Sequence, residues 1–358
     1  MSRIADFRPM QCLSAGPKRL NLEEKAVTRF PVDRRSILLG SGLATTAVVL
    51  PRRAVAAPGT KIPQQRSARI IVDNDFAGDP DALIALAHQL MASTTRTTLV
   101  TSSPLYAYRS TESAVPGSAK TGRGIAADLI AQGAFPPVPV IAGAKHFGDG
   151  PQQVSAAAQA IVAEAMRDDP LPLFITCGGP LTNIAAALRI EPRIAARATL
   201  VWIGGGAYPD GHWEYNLAGD IAAARHVIEE SAIPLWQVPQ PAYRQLQMSV
   251  AEMSVRLRGA SPLGRWLYDR FLQLPAFIKI GGSWAMGDSA TVLLTALSAE
   301  SSLSVVRPAR RIQLDGRYGE EIPGRTARVF NVLDTRLTIE DFFALLALHE
   351  PGAWQTTD

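Results

Sequence analysis

Cysteine is nearly absent from the chain: Cys12 and Cys177 are the two thiols among 358 residues. Cys12 lies in an N-terminal leader, so removal of that leader leaves no partner for an intramolecular disulfide, and a domain of this size does not depend on one. Histidine is scarce as well, with five residues, none paired with Ser or Cys in a nucleophile motif. No internal repeat or low-complexity tract occurs. Long apolar runs are missing too. The best candidate, 37–50, is too short for a bilayer span and is interrupted by Gly40, Gly42 and two threonines. Excess positive charge is confined to one end. The formal net charge is +4, but residues 1–56 carry ten Lys or Arg against four Asp or Glu, leaving 26 basic and 28 acidic side chains in the remainder. Without a basic stripe to neutralise phosphates, a nucleic-acid partner loses its main support.

The leader has the parts of an export signal. Asp33-Arg34-Arg35-Ser36-Ile37-Leu38 resembles the twin-arginine motif, the apolar stretch follows it, and Ala54-Val55-Ala56 supplies the small residues that a signal peptidase needs. The expected organisation is a signal peptide over 1–56, a linker over 57–68 and one domain over 69–358. Export of the folded protein by the twin-arginine translocon would place it in the periplasm or outside the cell. An uncleaved anchor and an ordinary secretory signal are the competing readings.

What the remaining chain has in abundance is apolar sequence, 47% of the total, arranged as short runs alternating with helical patterns. Strands are expected at 69–73, 97–101, 138–141, 173–176, 199–203 and 234–238. Helices are expected at 81–91, 125–131, 154–166, 181–188, 220–229, 250–257, 264–272, 289–297 and 338–348, with a hairpin over 312–330. Strands apolar on both faces, in βαβα order, imply an α/β domain with a mainly parallel central sheet covered by helices on both faces. Its chemistry belongs at the carboxyl ends of the strands.

The first strand ends in Asp73-Asn74-Asp75-Phe76-Ala77-Gly78-Asp79-Pro80-Asp81, four carboxylates within nine residues. Like charges crowded at the end of a buried strand are costly unless a cation sits among them, and hard oxygen donors suit calcium or magnesium. Asp79 before Pro80 also has the form of a helix N-cap, and Asp81 would complement the helix dipole. Capping does not account for Asp73 and Asp75.

Four collinear segments carry a resemblance. The acidic run resembles the N-terminal signature of the nucleoside hydrolases. Gly178-Gly179-Pro180-Leu181-Thr182-Asn183-Ile184-Ala185, Glu214-Tyr215-Asn216 with Asp220 downstream, and Asp288 at the start of a helix resemble that family's later motifs. The resemblance spans 69–297. It implies a Rossmann-like fold in which calcium (Ca2+) is held by Asp75, Asp81, Asp288 and the Gly178 carbonyl. Asp75 would be general base toward water, Asp73 would support the ligands from behind, and Asp79, Glu214 and Asn216 would hold the ribose of a nucleoside or other ribosyl substrate. The implied reaction is hydrolysis of the N-glycosidic bond to ribose and free base. A non-catalytic, calcium-dependent binding protein for a ribosyl compound is the alternative, and a homo-oligomer is left open.

Each later segment also has a structural explanation: a tight turn at Gly178-Gly179-Pro180, an extended stretch presenting Glu214 and Asn216 on one side, and N-caps at Asp220 and Asp288. Three departures stand out. Gly287 occupies the place where many family members have a His that assists the departing base, leaving His212 as a candidate donor. Ser102-Ser103-Pro104 stands where a ribose-binding Asn is expected, and an Asn expected before Glu214 falls near Tyr208.

Overall fold

The computed structural model describes residues 62–107, 114–148, 154–274 and 278–349. The twin-arginine motif and the expected cleavage site lie outside the described residues. Residues 62–67 are exposed, and the first strand begins at Ala68, one residue earlier than expected.

β1 (Ala68–Asn74) is buried along its whole length, and its side chains alternate between two cores. Ile70 and Val72 join one apolar cluster and Ile71 the other, because successive side chains of a strand point to opposite faces. α1 (Asp81–Met91) follows, then β2 (Thr95–Ser102), α2 (Ser118–Gln132), β3 (Val140–Ala142), α3 (Ala156–Met166), β4 (Leu173–Cys177), α4 (Thr182–Ile190) and β5 (Ala198–Ile203). α5 (Tyr215–Gly219) and α6 (Ile221–Arg225), continued by a π-helical turn, lead to β6 (Leu235–Val238) and α7 (Gln240–Tyr243). Leu83, Leu86 and Leu129 of α1 and α2 fill the first cluster; Ile161 and Ile184 of α3 and α4 fill the second. Helices therefore cover both faces.

A small antiparallel pair, β7 (Gln247–Ser249) with β8 (Ser283–Ala285), brackets α8 (Val250–Glu252), α9 (Arg258–Ala260) and α10 (Pro262–Arg270). α11 (Ser289–Val292), extended by a π-helical turn to Leu297, packs against α1. The hairpin β9 (Leu303–Ile312) and β10 (Tyr318–Val332) begins earlier than the sequence indicates, and α12 (Thr335–Leu348) closes the described chain.

The central sheet has eight strands in the order β3-β2-β1-β4-β5-β6-β10-β9, and every pairing is parallel except β10 with β9. Chain connections run outward in opposite directions from β1 and from β4. In a doubly wound sheet, that reversal opens a crevice beyond the carboxyl ends of the two strands. Among the described residues, no helix is long and apolar enough to cross a membrane.

Candidate active site

The acidic run emerges from β1 at this crevice, and β4 ends beside it at Gly178. Asp73 is fully buried. Its Oδ1 accepts hydrogen bonds from Thr101 Oγ1 at 2.5 Å and Asn183 Nδ2 at 2.8 Å. Burial nevertheless pushes its pKa up to about 6. Asn183 thus does more than satisfy nearby backbone, although its Oδ1 also accepts from the Ala144 amide.

Asp75, Asp81 and Asp288 are each less than 10% exposed. Burial, then the charges of Asp288 and Asp79, push both Asp75 and Asp81 well above the usual carboxylate range. Asp288 is raised to about 8, by burial and then by Asp79, against the opposing hydrogen bond from Asn74. These shifts say that the three groups share one space and cannot all be charged there without a counter-ion. α11 brings Asp288 into the group by packing on α1. Asp81 Oδ2 accepts from the Asp288 amide at 3.3 Å, and Asn74 Nδ2 donates to Asp288 Oδ2 at 2.9 Å.

The capping alternatives can now be separated. Asp288 makes no side-chain cap to α11, and α1 receives none from Asp79; Pro80 stands at its N-cap position. Asp79 instead accepts the Trp284 indole N–H at 2.8 Å. Asp220 does cap α6 through the Ala223 amide and also accepts from Thr182 Oγ1 and the Gly148 amide, so hydrogen bonding within the fold accounts for it. The expected extended stretch at 214–216 is instead the start of α5, with Glu214 as its N-cap. A buried carboxylate facing free helix amides makes that turn.

Gly178 is more constrained than its sequence suggests. A Cβ there would collide with Asn74 Nδ2 and lie 2.6 Å from Asp288 Cγ. The glycine lets Asn74 and Asp288 close over the end of β4, while its carbonyl accepts from Asn216 Nδ2 at 2.8 Å. Gly287 is explained in the same way. A Cβ at that position would lie 2.9 Å from Cδ2 of Tyr243, whose ring takes the space. His212 contacts Gln240 Oε1 through Nε2 at 2.9 Å.

Three contacts escaped sequence reasoning: Asn74 with Asp288, Trp284 with Asp79, and Tyr243 with Glu214 at 2.9 Å. The position of Asn74 inside the acidic run was the available signal for the first. Of the tryptophans, Trp202 is a core residue, Trp284 is half-buried at Asp79, and Trp213 is 42% exposed.

Among the described residues, no set of three or more His, Cys, Asp or Glu side chains already stands in a metal-holding arrangement. Two of the carboxyl groups, Asp79 and Asp81, lie within hydrogen-bonding reach of each other, which requires a shared proton or a cation between them. By type the donors fit a hard cation: buried carboxylates whose charges oppose one another, with the Gly178 backbone packed against Asp288.

Residues 70–318 match the family model described as inosine-uridine preferring nucleoside hydrolase. A pyrimidine-specific ribonucleoside hydrolase of Salmonella arizonae is 27% identical over 166 residues, 44% of this chain and 52% of that protein. An inosine-uridine preferring nucleoside hydrolase of Crithidia fasciculata is 39% identical over 82 residues, 22% of this chain and 25% of that protein. The chain thus spans about half or less of the length of these curated relatives. A plant nucleoside hydrolase structure superposes with a TM-score of 0.62 at 16% identity, covering 78% of this chain and 99% of that one. The inosine-uridine preferring nucleoside hydrolase of Bacillus anthracis gives 0.59 at 17% identity, with 78% and 99% coverage. At such identities these structures bear on the fold, and they agree with its parallel sheet. With the acidic crevice and the match over 70–318 taken together, the chain belongs to the inosine-uridine preferring nucleoside hydrolase family.

Proposed function

We propose that this protein hydrolyses the N-glycosidic bond of ribonucleosides to ribose and free base, with calcium held by Asp75, Asp81, Asp288 and the Gly178 carbonyl. The observation that carries the reading is the gathering of buried, mutually opposed carboxylates against Gly178, at the crevice between β1 and β4. The names of the curated relatives support nucleosides as the substrate class. When bound, the cation would activate a water as a Lewis acid and offset the crowded negative charge.

The chain's own groups supply the rest. Asp75, the carboxylate directly after β1, is the group assigned to accept a proton from water. Asp73, held by Thr101 and Asn183, fixes the strand end behind it. Trp284 orients Asp79 toward the sugar. Asn216 spends its amide hydrogens on the Gly178 and Ile203 carbonyls, so its side-chain oxygen is the atom left for a sugar hydroxyl. Negative charge around the ribose favours a transition state in which the ring becomes cationic.

Direct attack by water inverts the anomeric carbon. Proton NMR of the sugar released from a β-nucleoside should therefore show α-ribose first, with the β form appearing as it mutarotates. Initial β-ribose would point to a covalent sugar intermediate and reject the mechanism.

The twin-arginine leader belongs to the same proposal: folding before export lets the protein acquire its cation in the cytoplasm and reach the periplasm assembled.

A further inference from the structure

Glu214 is fully buried and both its oxygens are engaged. Oε2 accepts from the Gly205 and Leu217 amides at 2.8 and 3.0 Å, and Oε1 accepts from the Asn216 amide at 3.2 Å and from the Tyr243 phenol at 2.9 Å. A carboxylate has about four acceptor positions, so none is left for a substrate hydroxyl unless a donor is displaced. Three of the four donors are backbone amides fixed by α5 and the loop after β5. Tyr243, in contrast, is half-buried, and its ring lies against Gly287, the residue before Asp288. The tyrosine therefore joins the two, with its phenol on the buried carboxylate and the base of its ring against the residue before Asp288.

Its hydrogen-bonding direction follows from that position. The phenol has one proton, and Glu214 takes it. The oxygen is left as an acceptor, polarised by the carboxylate behind it, and its other neighbour is the Gln240 side chain, the donor that a sugar hydroxyl would join or replace. Such a group accepts hydrogen bonds. It cannot give its proton to a departing base without leaving Glu214 with an unfilled acceptor in a fully buried position, which is costly.

We propose that Tyr243 is a substrate-contact residue: its hydroxyl, oriented by Glu214, accepts a hydrogen bond from a sugar hydroxyl of the ribosyl substrate. Glu214 then acts on the sugar through Tyr243. Gly287 is the residue that makes room for the ring, so the loss of a side chain at 287 and the gain of the phenol are two sides of one arrangement.

The kinetic half of the test rests on the hydrolase reading, and the binding half does not. For the mature protein and its Tyr243→Phe variant, the measurements are the dissociation constant for D-ribose by equilibrium titration, and KM and kcat for uridine. Loss of one such acceptor should weaken ribose binding and raise KM by about tenfold. kcat should change by less than about threefold, because the contact is made in ground and transition state alike. The variant also leaves Glu214 one donor short, so its melting temperature is expected to fall by a few degrees. Both titrations are therefore made well below that temperature, and an unchanged circular dichroism spectrum there separates loss of the contact from loss of the fold. Unchanged or tighter ribose binding in the variant overturns the contact, as does failure of the unaltered protein to bind ribose. If the unaltered protein binds ribose and the variant binds it more weakly, but neither releases ribose from nucleosides, the hydrolase reading fails and the contact stands.

Discussion

At the scale of residues, the site is a problem in negative charge. Asp73, Asp75, Asp79 and Asp81 were legible in the sequence because a two-sided apolar strand delivers them together to its own end. Their partners were not. Asn74 and Asp288 are 214 residues apart, and Trp284 and Asp79 are 205 apart, so no local pattern could pair them. Calcium affinity is the property that tests the ligand assignment. Asp75→Asn and Asp81→Ala should each abolish calcium binding in calorimetry, since each removes a hard oxygen donor from a small set. In the unaltered protein the affinity should weaken as pH falls through about 8 toward 5.5, because the raised Asp288 group then holds a proton that competes with the cation. Calcium affinity that is equal in the variants and level across that pH range would remove these carboxylates from the site.

At the scale of elements, the long apolar strands and amphipathic helices were readable, and α1 has the expected bounds, Asp81–Met91. The short pieces were not. β7 and β8 have three residues each, too few for an alternation to register, and α5 has five residues. α5 exists because Glu214 satisfies its first amides, a tertiary arrangement that also needs Gly205 and Tyr243. β9 was partly missed because it exposes Leu303, Val305 and Val306 to solvent and lacks a one-sided pattern. The junction between β4 and α4 makes the sharpest demand on residue type. Gly178→Ala should cost about 1–3 kcal/mol of stability, because the new methyl displaces Asn74 or Asp288. Calcium affinity should fall with it. Thermal melts and titrations equal to those of the unaltered protein would show that the end of β4 tolerates a side chain.

At the scale of the whole molecule, strand order does what no single motif could. Connections that diverge from β1 and β4 put the acidic run and the Gly178 carbonyl at one crevice, and α11 carries Asp288 to it across the face of α1. The surplus of basic residues lies within 1–56, the segment proposed as an export leader. Export should follow from that leader. Mature protein recovered from the periplasm should begin at or near Ala57, and replacing Arg34 and Arg35 with Lys should hold the precursor in the cytoplasm. N-terminal sequencing that returns Met1 from periplasmic material would contradict it.

The central claim, a riboside hydrolase whose carboxylates work around a calcium ion, is tested most directly by ribose release from the mature protein with calcium and with a chelator. Inosine, uridine and a nitrophenyl riboside are the informative substrates. Ribose should appear with calcium, stop on chelation and resume when calcium is restored. Gly287 has no side chain, the Tyr243 phenol is engaged by Glu214, and His212 Nε2 is engaged by Gln240. With none of the three offering a free proton to the departing group, the nitrophenyl riboside should react faster than the nucleosides by about 10²–10⁴-fold. Ribose release that persists undiminished in chelator, or its absence from all three substrates with calcium present, would contradict the account.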